Sequence, residues 1–336
     1  MMNVAVVVGG DSEERDISIA SGAQITKALR SLSVETVVID TSHGLLSHEQ
    51  EIHFFNQKIQ ESPPKTQQFS WKTFINCLLS DKKILDRIDV FFLALHGGSG
   101  ENGTLQAFFD LIKKPYTGSG FLASACAFDK VLSKKMMTLI HIPTPDWVLA
   151  NENSIPNIPR ALKGSLIVKP SQQGSTVGLT IVRQADQLLE AIYLAKQFDS
   201  QVIVEQFIEG REITVGILDG KALPAGEIIL PPDIEFDYLS KYQPNKVQEI
   251  FPADIPQVVA NKAQQYAEKL HHALGLTGYS RTDFRLDNQD NLWCLEINSL
   301  PGMTEQSLLP KAAAASNISF AQLCLKICEL ALKRAV

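Results

Sequence analysis

Short apolar runs alternate with amphipathic stretches through the first third of this chain. Residues 4–8 (VAVVV) predict a strand, Gly9 and Gly10 a turn, and the spacing of apolar positions over 17–29 a helix. Residues 34–39 and 88–95 predict two further strands, and 105–113 a helix. This alternation implies a parallel sheet whose site lies at the carboxyl ends of its strands. Between them, residues 41–80 are largely polar and carry two prolines at 63 and 64. They predict a surface excursion with a helix or two, partly packed through Phe54, Phe55 and Trp71.

The pattern changes near residue 121. Residues 117–130 cross into a helix that the prolines at 143 and 145 end. Residues 166–170 (LIVKP) predict a strand closing on Lys169, paired through a glycine- and hydroxyl-rich turn with a strand ending at Val182. A helix over 185–196 and a buried strand over 202–208 follow. The alternating segment from Arg211 opens a new sheet, so a second boundary falls near 208. Residues 231–252 are aromatic and charged without a clean period, as in a movable loop. Helices over 257–274 and 320–335 bracket a hairpin whose turn is DNQDN at 287–291. The expected division is therefore 1–121, 122–208 and 209–336.

Composition narrows the class. The hydrophobic fraction of 45% suits a buried core, and a net charge of −6 disfavours nucleic acid or an anionic membrane as partner. No apolar run approaches the roughly 18 residues of a membrane span, and the run at 4–8 is too short for a signal peptide. The expected location is cytoplasmic. Five cysteines without a CxxC pair suggest reduced, buried thiols.

Candidate chemistry concentrates in the last hairpin. Glu296 and Asn298 stand two apart on a strand and share a face, where Asp283 of RTDFR can join them. Such oxygen ligands suit magnesium carrying nucleotide phosphates, although a polar hairpin face would look the same. Arg281 shares the face of Asp283, either to stabilise charge in phosphoryl transfer or to form an ion pair. Lys130, Lys169 and the GSTVG loop at 174–178 offer phosphate donors, but the loop lacks the GxxxxGK[ST] pattern and by itself is an ordinary turn. Glu14 at the first helix start fits either the helix dipole or a ligand ammonium. His96 ends the third strand, as a structural or a functional group. The PGMT turn at 301–304, with Ser307 and Leu308, could expose N–H groups to a carboxylate or oxyanion, or simply start a helix. A nicotinamide site is disfavoured because GxGxxG is missing.

Five segments in order resemble the D-alanine:D-alanine ligases of the ATP-grasp superfamily: GGDSEERDIS (9–18), ALHGGSGENGTLQ (94–106), PYTGSG (115–120), VKPSQQGSTVG (168–178) and EINSLPGMT (296–304). The resemblance implies a three-domain α/β architecture, with an N-terminal Rossmann-like parallel-sheet domain and two α+β domains sandwiching ATP. It further implies that Lys130 and Lys169 bind nucleotide phosphates, that Glu205, Phe207 and Ile208 form the adenine hinge, and that Glu212 clamps the ribose. Asp283, Glu296 and Asn298 would hold two magnesium or manganese ions. Glu14 would hold the ammonium of the first D-alanine, with Ser175 and Tyr242 as hydrogen-bonded partners and Lys241 in the lid. Arg281, Ser307 and the Leu308 backbone would hold the second D-alanine's carboxylate, Gly302 N–H and Arg281 would face the oxyanion, and His96 would lie near both substrates. The implied product is a dipeptide for peptidoglycan precursors, made by a homodimer. Phe207 stands where several relatives have tryptophan, and the 41–80 excursion is longer than in compact members. Lys241 and Tyr242 match lids that select D-alanine as second substrate, which leaves D-lactate or D-serine ligation as the alternative.

Overall fold

The computed structural model describes residues 2–56, 71–80, 82–150, 158, 162–174, 177–229 and 248–334. Among these the strands form three sheets. The first part of the chain runs β1 (Asn3–Val8), α1 (Arg15–Ser31), β2 (Glu35–Asp40), β3 (Gly44–Leu45), α2 (His48–Phe55), α3 (Trp71–Ser80), α4 (Lys82–Arg87), β4 (Val90–Leu93), α5 (Gly98–Glu101) and α6 (Thr104–Leu111). Its sheet has the order β3-β2-β1-β4, with β1 parallel to both β2 and β4. A central parallel strand is covered on both faces, which is why β1 reads as an unbroken apolar run and why Val4 through Val8 are all buried.

The 41–80 segment is less superficial than its polarity suggests. Phe74 and Leu78 on α3 enter the core of the first sheet, and Phe74 stacks edge-on against Trp71 and Phe108. Two aromatics and a leucine on one side of a short helix suffice to seat it, whatever the linking residues contain.

Helices α7 (Phe121–Phe128) and α8 (Lys130–Leu139) lead to the second sheet, built from β5 (Trp147–Leu149), β6 (Leu166–Pro170), β7 (Thr180–Val182) and β8 (Val202–Gln206) in the order β5-β8-β6-β7. The predicted β6–β7 hairpin is present, with Leu166 opposite Val182. Helix α9 (Leu188–Lys196) covers this sheet through Leu188, Ala191, Ile192 and Ala195.

The third sheet contains β9 (Arg211–Leu218), β10 (Lys221–Ala222), β11 (Gly226–Ile229), β12 (Gln248–Ile250), β13 (Tyr279–Leu286) and β14 (Leu292–Asn298). Its main order is β12-β11-β9-β13-β14, with β10 paired to β9. The expected polar alternation of β9 is not observed: residues 212–218 are buried on both faces. One face meets α7, α8 and α10 (Gln257–Ala273), while the other meets α11 (Leu308–Ala314). The end of the expected 231–252 loop is likewise regular, because 248–250 form the edge strand β12. Residues 230–247 lie outside the described residues.

The last helix, α12 (Phe320–Arg334), returns to the beginning of the chain. Its buried stripe of Leu323, Cys324, Ile327, Cys328 and Ala331 joins the core of the first sheet, and it packs against α1 and β4. Arg334 donates to the carbonyl of Tyr116 at 3.0 Å and lies 4.1 Å over the Tyr116 ring. Among the described residues no helix is long and apolar enough to cross a membrane.

Candidate functional site

The β13–β14 hairpin sets the site's geometry. Arg281 pairs with Asn298 and Asp283 with Glu296, after which the register shifts so that Phe284 opposes Cys294. Leu295 is the extra residue of this β-bulge, which adds local twist immediately beside the four polar side chains. The expected shared face is therefore formed as two cross-strand pairs.

Asp283 is the hub of that face. Arg281 Nε donates to its two oxygens at 2.9 and 3.2 Å and Arg281 Nη2 to Oδ2 at 2.8 Å. Thr214 of β9 donates at 2.7 Å and Asn298 Nδ2 at 3.2 Å. The ion pair suggested for Arg281 is present, and its guanidinium stays on the site's face. Lys130 at the start of α8 lies 3.4 Å from Glu296 and donates to the carbonyl of Gln173 at 2.6 Å. One lysine therefore links the second and third sheets.

Two carboxylates and one carboxamide make a hard, oxygen-rich donor set, which fits a divalent cation of the magnesium type. Among the described residues no group of three or more His, Cys, Asp or Glu side chains is placed to hold a metal, so the carboxamide of Asn298 would have to contribute.

A second cluster forms at the end of the first sheet. Glu14 stands at the N-cap of α1, but its side chain does not cap the helix. A Cβ added at Gly97 would lie 2.9 Å from Glu14 Oε2, and one at Gly174 would lie 3.1 Å away. The carboxylate is thus enclosed by two glycine loops that approach closely because they lack side chains. His96 is buried, with Nε2 3.1 Å from Ser21 Oγ. Burial lowers its pKa, Arg281 adds to that, and Glu14 with a Leu300 backbone hydrogen bond opposes it. Glu101 accepts from Gly97 N–H at 3.1 Å. Burial, reinforced by the charge of Glu14, pushes its pKa up to about 7, against hydrogen bonds from the Gly97 and Leu300 backbones. The 96–101 loop is thereby tied to the segment following β14.

The PGMT turn is held by Ser307, whose Oγ accepts from Thr304 N–H at 3.0 Å and lies 2.8 Å from Thr304 Oγ1. Gly302 sits against the same hydroxyl, where a Cβ would approach to 3.0 Å. Leu308 is the first residue of α11. That helix is joined to β12 by the Lys311–Glu249 ion pair at 2.6 Å.

The nucleotide candidates lie on and around the second and third sheets. Glu205 of β8 sits between Lys169 at 2.5 Å and Lys134 at 2.7 Å. Burial alone would raise the Glu205 pKa, but the two ammoniums outweigh it and hold the carboxyl below its ordinary range. Phe207 and Ile208 are half-buried just beyond β8, and Glu212 on β9 lies 3.5 Å from Arg285. Ser175, Lys241 and Tyr242 lie outside the described residues. Sequence reasoning missed Lys134, Glu101 and Thr214. Lys134 alone left a trace, standing one helical turn after Lys130 and hence on the same side of α8.

The site brings together Lys130, Arg281, Asp283, Glu296 and Asn298 around one hairpin face, with Glu14 set between Gly97 and Gly174. Residues 3–119 match the family model described as D-ala D-ala ligase N-terminus, and residues 134–329 that described as D-ala D-ala ligase C-terminus. A D-alanine--D-alanine ligase of Gloeobacter violaceus is 37% identical over 98% of this chain and 100% of its own length. That of Pediococcus pentosaceus is 36% identical over 96% and 95%. Among solved structures, the D-alanine--D-alanine ligase of Bacillus anthracis complexed with ATP superposes with a TM-score of 0.77 at 28% identity, covering 100% of this chain and 99% of that one. The Coxiella burnetii enzyme gives 0.80 at 25% identity, covering 99% and 94%.

Proposed function

This chain belongs to the D-alanine–D-alanine ligase family, and from that membership we propose that it uses ATP to join two molecules of D-alanine. The products are D-alanyl-D-alanine, ADP and phosphate, the dipeptide serving peptidoglycan precursors. The observation that carries this reading is the single face of Arg281, Asp283, Glu296 and Asn298, with Lys130 reaching Glu296 from α8.

A carboxylate does not react with an amine until it has a leaving group. The carboxylate oxygen of the first D-alanine attacks the γ-phosphorus, the bond to the bridging oxygen breaks, and ADP departs. The amine of the second D-alanine then attacks the acyl carbon. Phosphate leaves with the electron pair of the C–O bond, and the amine loses a proton as the amide forms.

Lys130 and Lys169 bind the phosphates, Glu205, Phe207 and Ile208 border the adenine, and Glu212 takes the ribose. Asp283, Glu296 and Asn298 would hold two magnesium or manganese ions, which when bound neutralise phosphate charge. Glu14 holds the first substrate's ammonium, supported by the enclosure of its carboxylate between the 97 and 174 loops. Ser175, Lys241 and Tyr242, outside the described residues, are assigned by the family resemblance to the first substrate and the lid, where water must be excluded from the acyl phosphate. Arg281, Ser307 and the Leu308 backbone take the second carboxylate, Gly302 N–H and Arg281 face the developing oxyanion, and His96 borders both substrates. The parts 1–121, 122–208 and 209–336 act as the three domains of a cytoplasmic homodimer, an assembly supported by family membership alone.

Second-substrate choice tests the assignment. Phosphate release should proceed fully with D-alanine alone and gain little from added D-lactate or D-serine. A requirement for either compound would overturn it.

A further inference from the structure

Helix α8 directs two lysines toward the site. Lys130 reaches Glu296, whereas Lys134, one turn later, is entirely sealed from solvent with a side chain 0% exposed. Its ammonium donates to Thr144 Oγ1 at 2.6 Å and lies 2.7 Å from Glu205 Oε2, outside good hydrogen-bond alignment. The second contact is therefore mainly Coulombic. The other Glu205 oxygen faces Lys169 at 2.5 Å.

One carboxylate and one lysine already make a neutral buried pair, and burying another ammonium costs solvation. Burial lowers the Lys134 pKa and Glu205 opposes that shift; with Lys134 protonated, the cluster holds two ammoniums against one carboxylate, an excess of one positive charge. Exposure rises from 0% at Lys134 through 3% at Glu205 to 9% at Lys169, so that excess emerges at Lys169.

We infer that Lys134 is a positioning residue for nucleotide binding: by sharing the Glu205 carboxylate, it leaves the charge of Lys169 available to the phosphate chain. This rests on the reading of Lys169 as a phosphate contact. Without Lys134, Glu205 and Lys169 close into a neutral pair, and an incoming phosphate must compete with a buried carboxylate for one ammonium. Adenosine, which has no phosphate, reports only what reaches the adenine through Glu205 and so serves as the reference.

The test is equilibrium binding of magnesium-ATP and of adenosine to the full chain and its variants, with thermal melting to monitor folding. Lys134→Met should weaken ATP roughly ten-fold or more, as expected for loss of a charge-assisted contact, while adenosine affinity changes far less. Lys134→Arg should retain most ATP affinity. Adding Glu205→Gln to Lys134→Met should restore much of the ATP-to-adenosine ratio, because a neutral amide no longer claims Lys169. Additive losses in the double variant, or equal losses for both ligands, would overturn the inference and leave Lys134 a purely structural group. Should Lys134→Met fail to fold, Glu205→Gln alone decides: the ratio holds or rises if the account is right, and a fall contradicts it. Lys169→Met separates the two levels. If it leaves ATP binding intact, the phosphate reading and the inference fall together; if it weakens ATP while Lys134→Met does not, only the inference falls.

Discussion

Asp283 receives hydrogen bonds from Arg281, Thr214 and Asn298, so a cation entering here must exchange with contacts already made. Glu296, across the strand, carries the second negative charge of the proposed metal set and is also the partner of Lys130. Glu296→Gln should therefore lower ligation roughly 100-fold or more at ordinary magnesium, at least the loss that a supporting residue of a metal site produces. Steady-state kinetics across a magnesium series would check this, and unchanged turnover would remove Glu296 from the metal set. The sequence made this cluster readable because two-residue spacing on a strand fixes a common face before any tertiary contact is known. Lys134 and Glu101 were not readable in that way. A lysine in an amphipathic helix ordinarily faces water, and Glu205 from a distant strand, together with Thr144, makes its burial tolerable. Glu101 likewise depends on the Leu300 backbone, which nothing in the local pattern places beside it.

Among elements, α10 and β13 are joined by a buried polar contact directly behind the site. His271 Nδ1 lies 2.7 Å from Ser280 Oγ, next in sequence to Arg281. Burial, with the neighbouring charge of His272, lowers the His271 pKa to about 4. Between that value and its ordinary 6.5 the unfolded chain binds a proton that the folded chain refuses, so stability falls as pH drops through this window. The loss amounts to about 3 kcal/mol at most, at 1.36 kcal/mol per unit. Denaturant unfolding at pH 7 and pH 4.5 should show a smaller pH effect in His271→Asn than in the unmodified chain. Equal slopes would contradict the assignment. Element type was largely foreseeable here, since α1, α6 and α10 follow clear helical spacing and β1 is an unbroken apolar run. The exceptions share a cause. The coverage of β9 on both faces, the seating of Phe74 and the edge pairing of β12 are all supplied by neighbouring elements rather than by local period.

For the whole molecule, the two ends of the chain meet in one core, where α12 packs on α1 and β4. Glu14 and Arg281, far apart in sequence, both lie close enough to His96 to push its pKa in opposite directions, and the Leu300 backbone reaches the same imidazole. The net charge of −6 describes the overall field, whereas locally Lys130, Lys134 and Lys169 stand against Glu296 and Glu205, three lysines to two carboxylates. The order of the five motifs pointed to this convergence, while its geometry required the fold. Whether this convergence couples ATP to amide formation between two D-alanines is read from ADP release with D-alanine as sole amino acid, measured together with the dipeptide formed. ADP and D-alanyl-D-alanine should form in equal amounts, and neither in the absence of D-alanine. ADP released at the same rate without D-alanine, or without accompanying dipeptide, would contradict that coupling.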